Sequence, residues 1–193
     1  MFKSLPVIGK SLFVFLSFLA FLPACKRDTP VESEQRLTDS YDNEVVLKWN
    51  ELLLEAERFT HGYLQPVSAR ASAYIGLTAY ETVVPGMPDF RSLESNYSGL
   101  HLPDPQTDEA YYYPAALNSA YATIITKLYR TAPAAQVSKI ATLQNYLNAK
   151  YEAETSAAVF GASVAWGKSV ADAVYAWSES DAVGHEGYLR PSD

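Results

Sequence analysis

The chain has a single cysteine, Cys25, and only three histidines, His61, His101 and His185, among 193 residues. One thiol excludes a disulfide framework and any cysteine-rich zinc or iron–sulfur site. The histidines lie far apart, without His-x-x-x-His or His-Glu-x-x-His spacing, so no imidazole metal motif is present. Basic residues are also in deficit. Fifteen Lys and Arg against 22 Asp and Glu leave a net charge of -7, which argues against nucleic acid as a partner. Glycines are scattered, never set in the strand–turn–helix context that a nucleotide-binding loop requires. Charged residues make up only 19% against 48% hydrophobic, the balance of a folded chain rather than a disordered one.

What is present begins with a leader. Residues 1–24 carry Lys3 and Lys10, no acidic residue, and an apolar run from Leu12 to Leu22, which is the grammar of a signal peptide. The run is too short to span a hydrocarbon core of roughly 30 Å. Leu22-Pro23-Ala24-Cys25 follows and resembles the lipobox of bacterial lipoproteins, with Pro23 an unusual residue at its position. The one cysteine thus falls where a lipobox needs a thiol to acylate. The expectation is a lipid anchor at Cys25, making a membrane the first partner and the cell envelope the location. That places the chain outside the cytoplasm, with the outer membrane favoured over the inner. Residues 25–41 then read as an acylated cysteine and a polar tether.

From residue 42 to 180 the dominant period is helical, and the fold class expected is all-α, a bundle of about five helices. Asp42 or Ser40 can cap a first helix running to about Arg58, with Val45, Val46, Trp49, Leu52, Leu53 and Ala56 on one face. Pro66 opens a second, which the Pro85-Gly86-Met87-Pro88 run ends. A long connection to about Tyr112 follows, too apolar at Tyr97, Leu100 and Leu102 for a free tail, and is expected to drape over the body. Pro114 opens a third helix. A fourth follows Pro133, with Val137, Ile140, Leu143 or Leu147, and Tyr151 on its stripe. A fifth, from about Ser156 to Trp177, repeats small residues every fourth position: Ala157, Gly161, Ala165, Ser169 and Ala173. Such spacing lets backbones approach closely and suggests the middle of the bundle. The segment 181–193 is polar and glycine-containing.

Candidate chemistry is sparse. Glu51 and Glu55 lie one turn apart, but read best as a charged helix face beside Lys48 and Arg58. Arg70 sits among alanines on the second helix, with Glu81 eleven residues on and on the same side. The two suggest a buried polar pair, or, for Arg70, a cap on a neighbouring helix end. The 14 tyrosines fall mostly at core spacing.

The order of features carries a resemblance. Trp49-Asn50, Pro66-Val67-Ser68-Ala69-Arg70, Ala73-Tyr74, Ala79-Tyr80-Glu81 and the run from Tyr113 to Tyr121 resemble the N-terminal helices of the vanadium-dependent haloperoxidases. Ser156, Gly161, Val164-Ala165, Trp177 and Asp181 extend it. That family shares its fold with the type 2 phosphatidic acid phosphatases. The resemblance implies a helical scaffold for a site built from three later motifs, Lys-x6-Arg-Pro, Pro-Ser-Gly-His and Ser-Arg-x5-His, which hold vanadate or phosphate. None of the three occurs here: Arg190-Pro191 is preceded seven residues earlier by Val183, and Pro191-Ser192 by no continuation to a histidine. No catalytic, cofactor-binding or metal-binding residue is therefore carried over, and vanadate is implied only for a full-length family member. The expectation is an incomplete part of a larger helical domain, with 181–193 as a truncated connection. Such a piece would be inactive alone and matched to a missing C-terminal catalytic half. The competing reading is an all-helical surface lipoprotein that binds glycans or peptides, for which the tyrosine-bearing loop would serve.

Overall fold

A computed structural model describes residues 37–190. The leader, Cys25 and most of the tether lie outside the described residues. Five α-helices and no strand occur among the described residues, so the all-α expectation holds. They are α1 (Glu44–Phe59), α2 (Gln65–Val83), α3 (Tyr113–Leu128), α4 (Ala134–Glu154) and α5 (Ala157–Ser178).

The helix at the centre is α3, where the small-residue spacing had pointed to α5. Every residue from Tyr113 to Ala122 is buried. The reason is compositional: α3 carries no charge before Lys127, and a helix apolar on all sides is stable only when covered on all sides. α5, α2, α4 and α1 each pack against it. α1 is the amphipathic opposite, burying Val45, Trp49, Leu52, Leu53 and Ala56 while Leu47, Leu54 and its charges stay outside. Its N-terminus is fixed by Asp42, whose Oδ1 accepts from Glu44 N at 3.0 Å. In α4 the inward stripe is Ile140, Leu147 and Tyr151, while Val137 points out, 47% exposed.

α5 begins as expected, with Ser156 Oγ accepting from Val159 N. Its buried face, however, is Ser163, Trp166, Gly167, Val170, Ala171, Val174 and Ser178. Ala157, Gly161 and Ala165 of the small-residue stripe are exposed. The close approach occurs at Gly167, where a Cβ would stand 1.9 Å from the Ala116 carbonyl oxygen. A small residue satisfies either solvent or a tight contact, so spacing alone does not choose the face.

Most polar groups inside the bundle are paired, as burial favours, whereas Gln136 Oε1 on α4 is buried without a hydrogen bond. Asn118, fully buried on α3, accepts from Trp49 Nε1 at 2.9 Å and donates to Gln144 O at 3.0 Å and Asn148 Oδ1 at 2.9 Å. One amide thereby joins α1, α3 and α4. Ser119 Oγ bonds Val164 O, and Trp166 Nε1 bonds Thr82 O at 2.8 Å, tying α5 to α3 and α2.

The long connection lies on the body. Leu100 is 2% exposed, and Tyr111 and Tyr112 are buried, whereas Tyr97 remains 41% exposed against Trp177. Trp177 Nε1 donates to Ser98 O, and Glu94 Oε1 accepts from Leu102 N. The polar segment after α5 is also folded back. Tyr188 stacks on Tyr63, and its carbonyl meets the α1–α2 turn at Gly62, a residue at φ +87 where a Cβ would fall 2.1 Å from that oxygen.

Candidate functional site

Arg70 organises the only strongly polar junction singled out in the sequence, but without Glu81. Its Nε donates to Asp181 Oδ2 at 2.9 Å, and its Nη2 to the Ser178 carbonyl at 2.6 Å. The guanidinium also lies 4.6 Å from the centre of the Tyr74 ring. A cation on the last-turn carbonyls of α5 complements the negative end of that helix. Asp181 accepts in addition from Gly184 N at 2.9 Å. That backbone N–H, with the Arg70 guanidinium second, holds its carboxyl below the usual carboxylate range.

Glu81 is 3% exposed and serves elsewhere: its Oε1 accepts from Leu93 N at 2.7 Å, pinning the long connection. The expected Arg70–Glu81 pair is thus corrected. Eleven residues return the chain to the same side of a helix but advance it by roughly 16 Å, beyond the reach of two side chains.

Around Arg70 several cations and phenols converge. Tyr63, Arg70, Lys127, Arg130, Tyr175, His185 and Tyr188 line a cavity of about 10 Å³. Several members are already engaged, while Arg130 has no ion pair and the buried His185 Nδ1 no hydrogen bond among the described residues. Lys127 pairs with Asp172 at 2.6 Å, and Tyr63 donates to Leu128 O. His185 stands edge-on to Tyr175 and 3.8 Å from Glu179. Burial pushes the Tyr63 hydroxyl far above its ordinary pKa, so it stays neutral. At Asp172 burial works to raise the pKa, yet hydrogen bonds from Lys127 and Lys168 prevail and hold the carboxylate ionised.

A tetrahedral oxyanion such as vanadate or phosphate does not fit here. The void has the size of one water molecule, and Arg70 and Lys127 are neutralised by Asp181 and Asp172. His61 and His101 are exposed, and the backbone carbonyl of His61 accepts from Thr131 Oγ1 at 2.8 Å. Among the described residues no group of three or more His, Cys, Asp or Glu is placed to hold a metal ion. Glu51 and Glu55 line a surface groove between α1 and α4 with Lys48, Lys139 and Tyr146. There the hydrogen bond from Lys139 lowers the Glu55 pKa.

The fold has a known counterpart. A solved structure, described as the first bacterial vanadium-dependent iodoperoxidase, superposes with a TM-score of 0.63 at 23% sequence identity. The match covers 78% of this chain and 35% of that one, so the chain spans about a third of the length of the structure it matches. No protein-family model and no curated protein sequence matches. At this identity the likeness is one of fold. The bundle described above shares its fold with part of that iodoperoxidase.

Sequence reasoning missed two elements of the polar framework. Asp181, quoted in the resemblance, had no partner assigned, and Asn118 stood unremarked within an alanine-rich run. A lone Asn in an otherwise apolar helix is the signal that would have found the second.

Proposed function

We propose that this chain is the N-terminal scaffold portion of a haloperoxidase-like or acid-phosphatase-like bacterial lipoprotein, anchored through Cys25 in the cell envelope. The observation that carries the proposal is the lopsided match: most of this chain aligns with about a third of an iodoperoxidase. Its support on the chemical side is the pairing of Arg70 with Asp181 and of Lys127 with Asp172 around a void of water size, too small for an oxyanion. The chain then contributes shape and rigidity, while the groups that bind vanadate or phosphate come from a catalytic half not contained in it. Whether the assembled reaction oxidises halide or hydrolyses phosphate esters rests with that half.

The test is direct. Purified chain is titrated with orthovanadate and followed by ⁵¹V NMR, then assayed with iodide plus peroxide and with a phosphate monoester. The expected result is no saturable binding and no turnover. Stoichiometric vanadate binding by the chain alone would overturn the scaffold reading. Lipidation is tested separately, by mass spectrometry of the envelope form; a Cys25→Ser chain that retains diacylglycerol mass would refute the anchor.

A further inference from the structure

One side of the molecule does not resemble a solvent face. α2 contains two charged residues, and both are turned to internal partners, Arg70 to Asp181 and Glu81 to Leu93 N. What it exposes along its outer ridge is Gln65, Pro66, Ala69, Ser72, Ala73 and Gly76, two polar residues among small or apolar ones and no charge. Gly76 has nothing within 4 Å of the position a Cβ would take. A mid-helix glycine costs roughly 0.5–1 kcal/mol relative to alanine, and nothing inside this chain offsets it. By contrast, the outer faces of α1 and α4 carry the Glu44–Lys150 and Glu55–Lys139 pairs typical of hydrated helices.

At the N-terminal end of α2 the ridge runs into a groove of about 370 Å³ lined by Leu64, Pro66, Val67, Val183 and Arg190. Leu64 is 52% and Val183 67% exposed, large apolar side chains at a concave site. Arg190, at the groove, is exposed and has no ion-pair partner among the described residues. Anchoring apolar residues, an uncharged ridge and a cation without an ion-pair partner among the described residues together describe a seat for another helix.

Resting on the scaffold reading above, we propose that this groove and the α2 ridge dock an amphipathic helix of a further polypeptide. The docked helix sets bulky apolar side chains toward Ala73 and Gly76 and a carboxylate toward Arg190. The extent of the solved counterpart supplies the second argument: about two-thirds of that molecule lies beyond the helices this chain matches, enough to cover a face of this kind. Thr38 Oγ1 bonds Val83 O at the opposite end of α2, so the N-terminal side of the described chain approaches far from the groove.

The experiment uses the full chain in its native host, with a photo-crosslinking amino acid at position 73, 183 or, as control on α4, 141. The expected result is an adduct from 73 and 183, at least tenfold stronger than from 141, to a peptide of helical apolar periodicity with an acidic residue. Arg190→Glu should then reduce the adduct from 183 about threefold, without a shift in the melting temperature of the purified chain. Equal labelling at 141, lipid adducts alone, or adducts to a second copy of this chain would each overturn the proposal. The scaffold reading fails separately. An adduct to a polypeptide lacking oxyanion-binding Lys, Arg and His motifs sinks the scaffold and leaves the docking face standing. A partner with those motifs that crosslinks only from 141 does the reverse.

Discussion

Replacing Gly167 with alanine tests the tightest contact in the bundle. The added Cβ would lie 1.9 Å from the Ala116 carbonyl oxygen and 2.7 Å from its carbon, both backbone atoms of the central helix. No rotamer change relieves a clash with backbone, so α5 must move away from α3 by about 1.4 Å to reach an ordinary separation. That movement loosens the packing of Trp166, Val170 and Val174 against Tyr113 and Ala116. Overpacking of this kind costs about 3 kcal/mol, and the better helix propensity of alanine returns about 1 kcal/mol. The net loss is about 2 kcal/mol, or a fall of roughly 4–8 °C in melting temperature for a domain of this size. Gly161→Ala and Gly76→Ala provide the contrast. Neither Cβ meets anything within 4 Å, so only propensity acts, and each should stabilise by about 0.5–1 kcal/mol. Thermal and urea unfolding followed by far-UV circular dichroism reads all three. If Gly167→Ala moves in the same direction as the other two, α3 and α5 are not in the contact described and the central packing is wrong.

Two further outcomes are expected. Asn118→Leu keeps the branched shape but orphans the buried Trp49 Nε1, at about 1–3 kcal/mol, and removes the bonds to Gln144 O and Asn148 Oδ1. A loss near 3 kcal/mol in urea unfolding is expected, and one under about 1 kcal/mol would show that the amide does not tie the helices. The Asp181 carboxyl is held below its ordinary value by Gly184 N–H and Arg70, so its stabilising effect is complete above the unfolded-state pKa and fades as pH falls through the lowered folded value. Below about pH 4 the Gly184 amide resonance should shift as the segment 181–190 detaches, and Asp181→Asn should abolish that step; an unchanged step assigns it to another group.

Helix number, the break at Pro85–Pro88 and the covering role of the long connection were all readable from the chain, because periodicity and proline act locally. Which helix lies at the centre was not. α5 advertised a period-four stripe of small residues, yet Ala157, Gly161 and Ala165 face outward while Gly167, off that stripe, makes the close contact. The decisive property was the lack of charge in α3, a feature of one helix relative to four others. Arg70 was recognisable as a constrained cation, but its partner lies 111 residues away across a fold that spacing along one helix cannot describe. The resemblance to the haloperoxidase helices pointed to the right architecture and to no reacting group.

The length of α2 has a mechanical consequence. Thr38 is fastened beside its last turn, at Val83, and Leu64 with Arg190 border the groove at its first. Nineteen residues at 1.5 Å each separate those two points by roughly 28 Å. Any load applied between the N-terminal side and a molecule seated in the groove would run lengthwise along a single rigid rod. A circular permutant joining the two sides would accordingly need a linker of at least about eight extended residues to span it.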